Sequence, residues 1–182
     1  MRTLFVGLLA GSLLCGTSVW AETNAFDKKF ELHGIHFQVI GTGNRLRIIP
    51  SGLKIDNSAI EREIDGTVTG ADIGDINVDG SPEIYVYIKA KEKGALIAYS
   101  ANNKKSLSEI FLPPIPDDLK LTKGYRGHDE FMMVEGIVAQ RFPLYKDGDT
   151  DAKPTGGWRQ LQYKLVPGEA SWQLKLDKTI EY

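Results

Sequence analysis

Apolar residues recur at every second position of this chain, in short runs cut off by turn-forming residues. Phe37 and Val39 alternate with His36 and Gln38, and Leu46 and Ile48 with Arg45 and Arg47. Leu161, Tyr163 and Leu165 alternate with Gln160, Gln162 and Lys164, and Trp172, Leu174 and Leu176 repeat the pattern near the C-terminus. A repeat of two belongs to the pleated strand, whose successive side chains point to opposite faces. Between the runs lie Gly41-Thr42-Gly43-Asn44, Asp65-Gly66, Asp79-Gly80, Asn102-Asn103, Asp147-Gly148, Gly156-Gly157 and Pro167-Gly168, all favourable in tight turns. Many short strands separated in this way predict an all-β fold, an antiparallel β-sandwich. Ile84, Val86 and Ile88 share one face of a run whose other face carries Tyr85 and Tyr87, so this run suits a central strand covered on both sides. Phe131–Val138 and Arg141–Tyr145 read as paired strands around Glu135-Gly136. Helix is confined to one short turn over Asp117–Thr122, after the proline-rich Pro113–Pro116.

The first residues read as a secretory leader. Arg2 supplies the positive start, Leu4–Leu14 the apolar run, and Val19-Trp20-Ala21 the small-residue pattern of a cleavage point. Cleavage after Ala21 is expected, with residues 22–182 forming one secreted domain. The apolar run is too short for a stable membrane anchor. Cys15 follows Leu14, which is not the small residue that a lipoprotein signal wants. Cys15 is the single cysteine, so the mature chain forms no disulfide and depends on an ordinary core. A formal net charge of −2 argues against a nucleic-acid partner, which would favour a basic surface.

The strand over Glu83–Ile88 and the next, Ala95–Ser100, are joined by Lys89-Ala90-Lys91-Glu92-Lys93-Gly94. The flanks are apolar and aromatic and the tip is nearly all charge, so the tip must stand in water on a stiff hairpin. Such a tip suits insertion into another protein's cleft. Asp75-Ile76-Asn77-Val78-Asp79-Gly80-Ser81-Pro82-Glu83 carries oxygen-bearing side chains at alternate positions, then a glycine turn. It reads first as a turn whose Asp and Asn side chains bond their own backbone, so no residue is assigned as a metal ligand. The alternative is a calcium loop, which needs several hard oxygens wrapped around the ion, within a calcium-stabilised β module for binding or adhesion. Asp147-Gly148-Asp149-Thr150-Asp151 reads as a solvated hairpin loop. His33 and His36 are too few for a zinc site. His128, Asp129 and Glu130 cannot converge on a strand. No Gly-x-Ser-x-Gly elbow and no phosphate-binding glycine loop is present, so enzymatic activity is not expected.

Four further segments carry a more specific signal. They are Leu96–Ser108 (LIAYSANNKKSLS), Gly124–Phe131 (GYRGHDEF), Arg141–Asp149 (RFPLYKDGD) and Gly157–Tyr163 (GWRQLQY). In this order they resemble segments of the bacterial periplasmic inhibitors of invertebrate-type (i-type) lysozyme, over about the last two-thirds of the chain. The resemblance implies a β-sandwich without cofactor, whose protruding loop enters the lysozyme's catalytic cleft and bonds its acidic residues. The family's loop carries a Ser-Gly-x-Tyr pattern between two strands. Here Lys89–Gly94 takes that place, and only Gly94 matches. The expected partner contacts are Lys89, Lys91, Glu92, Lys93 and Gly94, with Tyr125 and Arg126 as a second set. For Tyr125 and Arg126 the competing reading is structural, with Tyr125 packed and Arg126 paired to Asp129 or Glu130.

Overall fold

The computed structural model describes residues 25–90 and 93–182. The expected leader with Cys15, and the tip residues Lys91 and Glu92, lie outside the described residues. The strands are β1 (Ala25–Leu32), β2 (Ile35–Thr42), β3 (Arg45–Ser51), β4 (Ile60–Glu63), β5 (Thr67–Gly74), β6 (Glu83–Lys89), β7 (Gly94–Ser100), β8 (Ser108–Glu109), β9 (Glu130–Val134), β10 (Ile137–Pro143), β11 (Trp158–Pro167) and β12 (Trp172–Glu181). They form three four-stranded sheets ordered β1-β2-β3-β4, β5-β6-β7-β8 and β12-β11-β10-β9. All pairs are antiparallel and join consecutive strands, so each sheet is a meander built from hairpins. The fold is all-β, as the alternation predicts.

The middle sheet serves two cores. Ile84, Val86 and Ile88 of β6 pack with Ile35, Phe37 and Val39 of β2 and with Leu46 and Ile48 of β3. Tyr85 and Tyr87, on the other face, pack with Val138 and Phe142 of β10, Leu161 and Tyr163 of β11, and Leu174 of β12. The two-sided apolar character of β6 is therefore used on both sides, in an arrangement of sheets stacked face to face.

Alternation did not announce every strand. β5 contains Gly70 and Gly74, which dilute any apolar pattern. Neighbours crowd both: a Cβ on Gly70 would lie 3.1 Å from the Tyr87 ring, and one on Gly74 2.9 Å from the Met133 methyl, the flexible end of that side chain. The β9–β10 turn falls at Glu135-Gly136, with φ of 51° and 77°. This left-handed pair makes a two-residue hairpin, so Ile137 and Val138 belong to the second strand, which starts before Arg141 and ends at Pro143. The helical turn α1 spans Leu119–Thr122 and is capped by Asp118, whose side chain accepts from the Lys120 N–H. Buried Arg159 holds this turn against β11. Its guanidinium donates to the Leu121 and Lys123 carbonyls and pairs with Glu181 at 2.6 Å.

Phe142 is fully buried in the second core. Phe142→Ala is expected to cost about 3–5 kcal/mol in chemical denaturation. Leu119→Ala, at an exposed position, should cost under about 1 kcal/mol. Equal losses in the two variants would refute the placement of this core.

Candidate functional site

The β6–β7 ladder runs without a break from Glu83↔Ser100 to Lys89↔Gly94, and beyond it the Ala90 N–H donates to the Lys93 carbonyl at 3.0 Å. Lys89 and Lys93 are exposed, while Ala90 and Gly94 are half-buried. The base of the tip is not free-standing. A Cβ on Gly94 would sit 2.1 Å from the Asp129 carbonyl oxygen, and one on Gly66 2.3 Å from the Lys89 carbonyl oxygen. Backbone from the β4–β5 turn and from the approach to β9 thus abuts the hairpin, leaving room only for glycine at both contacts.

Two grooves flank the tip. One, of about 700 Å3, is lined by Lys93, Gly94, Leu96, Phe111, Tyr125 and Phe131 among others. The other, of about 590 Å3, includes Thr69, Lys89, Lys93, His128 and Glu130. Tyr125 is therefore brought to the same groove as Lys93 and Gly94. Its hydroxyl donates to Asp129 Oδ2 at 2.8 Å, and its ring meets Phe142 edge-on at 4.6 Å. Burial and the Asp129 hydrogen bond push the Tyr125 hydroxyl pKa up. Gln140 Nε2 donates to Asp129 Oδ1 at 2.6 Å, and the Tyr163 hydroxyl donates to Gln140 Oε1 at 2.6 Å. This chain of buried hydrogen bonds fixes Asp129, whose carbonyl in turn meets Gly94. The sequence alone does not show this role for Asp129 and Gln140, because it takes the β9–β10 hairpin and its pairing with β11 to bring Tyr125, Asp129, Gln140 and Tyr163 together.

Arg126 goes elsewhere. Its guanidinium lies over the Tyr145 ring at 4.7 Å, donates to the Asp149 carbonyl at 3.0 Å and pairs with Asp151 at 3.5 Å. It pairs with neither Asp129 nor Glu130, since Asp129 is buried in its own network and Glu130 is held by Arg141 at 2.7 Å. The Asp147–Asp151 loop is closed on itself. The Asp149 carboxylate accepts the Lys146 and Thr155 N–H groups and the Thr155 hydroxyl, and the backbone donors hold its pKa below the usual range. The two early histidines diverge: His33 approaches Asp75 at 3.4 Å and His36 approaches Glu31 at 3.5 Å.

The opposite end of β6 is acidic. Asp75 accepts the Asp79 and Gly80 N–H groups at 3.0 and 2.8 Å, and Asp79 accepts the Ser81 N–H at 2.7 Å, which is the side-chain-capped turn expected of this sequence. The turn also gathers Asp75, Asp79 and Glu83, with one carboxylate oxygen of each within 4.8 Å of the others. Glu83 is fully buried. Its carboxylate accepts the Ile76 N–H at 3.1 Å and the Ser100 hydroxyl at 3.3 Å. Burial first, then the charges of Asp75 and Asp79, push its pKa up to about 8. Neither a protein-family model nor a curated protein matches this chain.

The Glu83 shift has a signed consequence. The folded chain retains a proton here up to about pH 8, whereas the unfolded carboxyl releases it near 4.5. This group's contribution to stability is full below the lower value and is lost as pH rises through the upper one. Denaturant midpoints in metal-free buffer should therefore fall across that window, and Glu83→Gln should flatten the fall. Identical slopes in the two proteins would remove Glu83 from the pH response.

Proposed function

We propose that this protein is a periplasmic inhibitor of i-type lysozyme that acts by occluding the enzyme's cleft and carries out no chemistry. The observation that carries this reading is the β6–β7 hairpin: a tip with exposed Lys89 and Lys93, closed by the Ala90–Lys93 hydrogen bond and wedged at its base by Gly66 and Asp129. The base of the tip, at Lys89, Ala90, Lys93 and Gly94, is held in this way and loses little conformational freedom on binding. Lysozyme clefts hold two carboxylates flanking the scissile bond. An ammonium from the tip donates charge-assisted hydrogen bonds to those groups, where the family's hydroxyls would donate neutral ones.

The resemblance in Leu96–Ser108, Gly124–Phe131, Arg141–Asp149 and Gly157–Tyr163 supports the same reading. Gly94, the tip position that matches the family's loop pattern, is also the one with no room for a side chain against Asp129. Tyr125 sits beside the tip in the shared groove and extends the contact surface. Arg126 is assigned to holding the acidic loop against Tyr145. The leader expected over residues 1–21 delivers the chain to the periplasm, where blocking a lysozyme protects the cell wall.

The purified mature chain is expected to slow cell-wall lysis by an i-type lysozyme. Lack of inhibition of i-type, chicken-type and goose-type enzymes alike would overturn the reading. Lys93→Ala is expected to weaken the complex by about 2 kcal/mol, roughly 30-fold in Kd. Unchanged affinity by titration calorimetry would take Lys93 out of the interface.

A further inference from the structure

We infer that the β5–β6 connection is a calcium site, with Asp75, Asn77, Asp79 and Glu83 supplying oxygen ligands to one ion. The first support is distance. Calcium holds its oxygens at about 2.3–2.6 Å, so ligands on opposite sides of the ion stand about 4.8 Å apart. The Asp75, Asp79 and Glu83 oxygens lie within 4.8 Å of one another and fit around a single centre.

Asn77 provides an independent observation. Its Nδ2 donates to Asp79 Oδ2 at 2.9 Å, which fixes which end of the amide is nitrogen. Its Oδ1 is consequently committed to the other side, where it is buried with no hydrogen-bond donor. Buried carbonyl oxygens are nearly always paired, and an orphan demands a partner. The partner missing here is a donor or a cation, beside Asp75 and Asp79 carboxylates that themselves accept backbone N–H groups. A second orphan stands two residues along the same face of β6. The Tyr85 side chain is fully buried, its hydroxyl has no partner, and it lies within the field of Glu83 and Asp75.

Charge balance points the same way. Glu83 is fully buried with two other carboxylates beside it. Among the described residues, the one basic side chain within 4.0 Å of the three is His33, half-exposed and 3.4 Å from Asp75. A cation bound here would supply the positive charge that the described side chains around the three acids do not. The donor set is all oxygen, which suits calcium and not zinc, whose sites favour nitrogen and sulfur. Magnesium fits less well, because it demands a near-octahedral shell and keeps most of its waters.

A bound ion ties the end of β5, through the connecting loop, to the first residue of β6. The six steps from Glu83 to Lys89 span about 20 Å, so the ion is remote from the hairpin tip. This inference does not depend on lysozyme as partner, and its test reads stability.

The test is thermal melting of the mature chain in chelator, in millimolar calcium chloride and in millimolar magnesium chloride, with calorimetric titration of calcium. Calcium at about 100 times its Kd is expected to raise Tm by about 5–10 °C for a chain of this size. Magnesium should give a smaller shift. Asp79→Asn, at an exposed position, and Asn77→Ala should fold in chelator and lose the calcium shift. No heat of binding and no Tm change in the parent chain would overturn the site, as would an equal calcium shift in Asp79→Asn or an equal effect of magnesium.

Discussion

Strand β6 carries apolar or aromatic side chains on both faces, and neither face can meet water without losing the burial that stabilises it. Ile84, Val86 and Ile88 need one covering sheet, and Tyr85 and Tyr87 another. The first requirement recruits β2 and β3, the second β10, β11 and β12. The rest of the architecture follows from this demand. Strands β2, β3 and β11 of the outer sheets alternate cleanly because each has one face to bury, while β6 is apolar or aromatic at every position from Ile84 to Ile88. A polar residue introduced at Val86 or Tyr85 would disturb a different core in each case.

The same strand joins two chemically opposite ends. At Glu83, itself buried, the chain gathers three carboxylates, and at Lys89 it enters a tip bearing exposed ammonium groups. A rigid strand between them lets each end act by itself. The acidic end bears on the stability of the β5–β6 connection, and the cationic end is available to a partner. What fixes the base of the tip is backbone contact. The Asp129 carbonyl presses on Gly94 while the Asp129 side chain is held by Tyr125 and Gln140, so the hairpin of one sheet is indexed to the hydrogen-bond network of another.

The legibility of these features differs by physical origin. The faces of β2, β3, β11 and β12, the two-sided burial of β6 and the helical turn before Lys123 were readable, because each is set by side chains spaced along one segment. β5 was hidden, because Gly70 and Gly74 interrupt its apolar alternation, and the strands it pairs and packs with lie elsewhere in the chain. The Asp75–Glu83 turn was readable as a turn from its Asp, Asn and Gly. The unpaired Asn77 oxygen was not, since it depends on which way the amide is turned by Asp79. Arg126 was foreseen as either a contact or the partner of a nearby acid. Its true partners, Tyr145, Asp149 and Asp151, come from a loop some twenty residues on.

The sequence by itself determined an all-β chain, the inward faces of β2, β3, β11 and β12, the two buried faces of β6, and the placing of a charged tip between two strongly β-forming runs. Those properties arise from a period of two and from turn residues, which act within a few positions of one another. The tertiary structure alone decided that the sheets number three, that one of them lies between the others, and that Gly94 and Gly66 admit no side chain. Alternation states that a face is buried without stating what buries it. That choice is made by contacts between segments far apart in the chain, where packing space and hydrogen-bond partners first become defined.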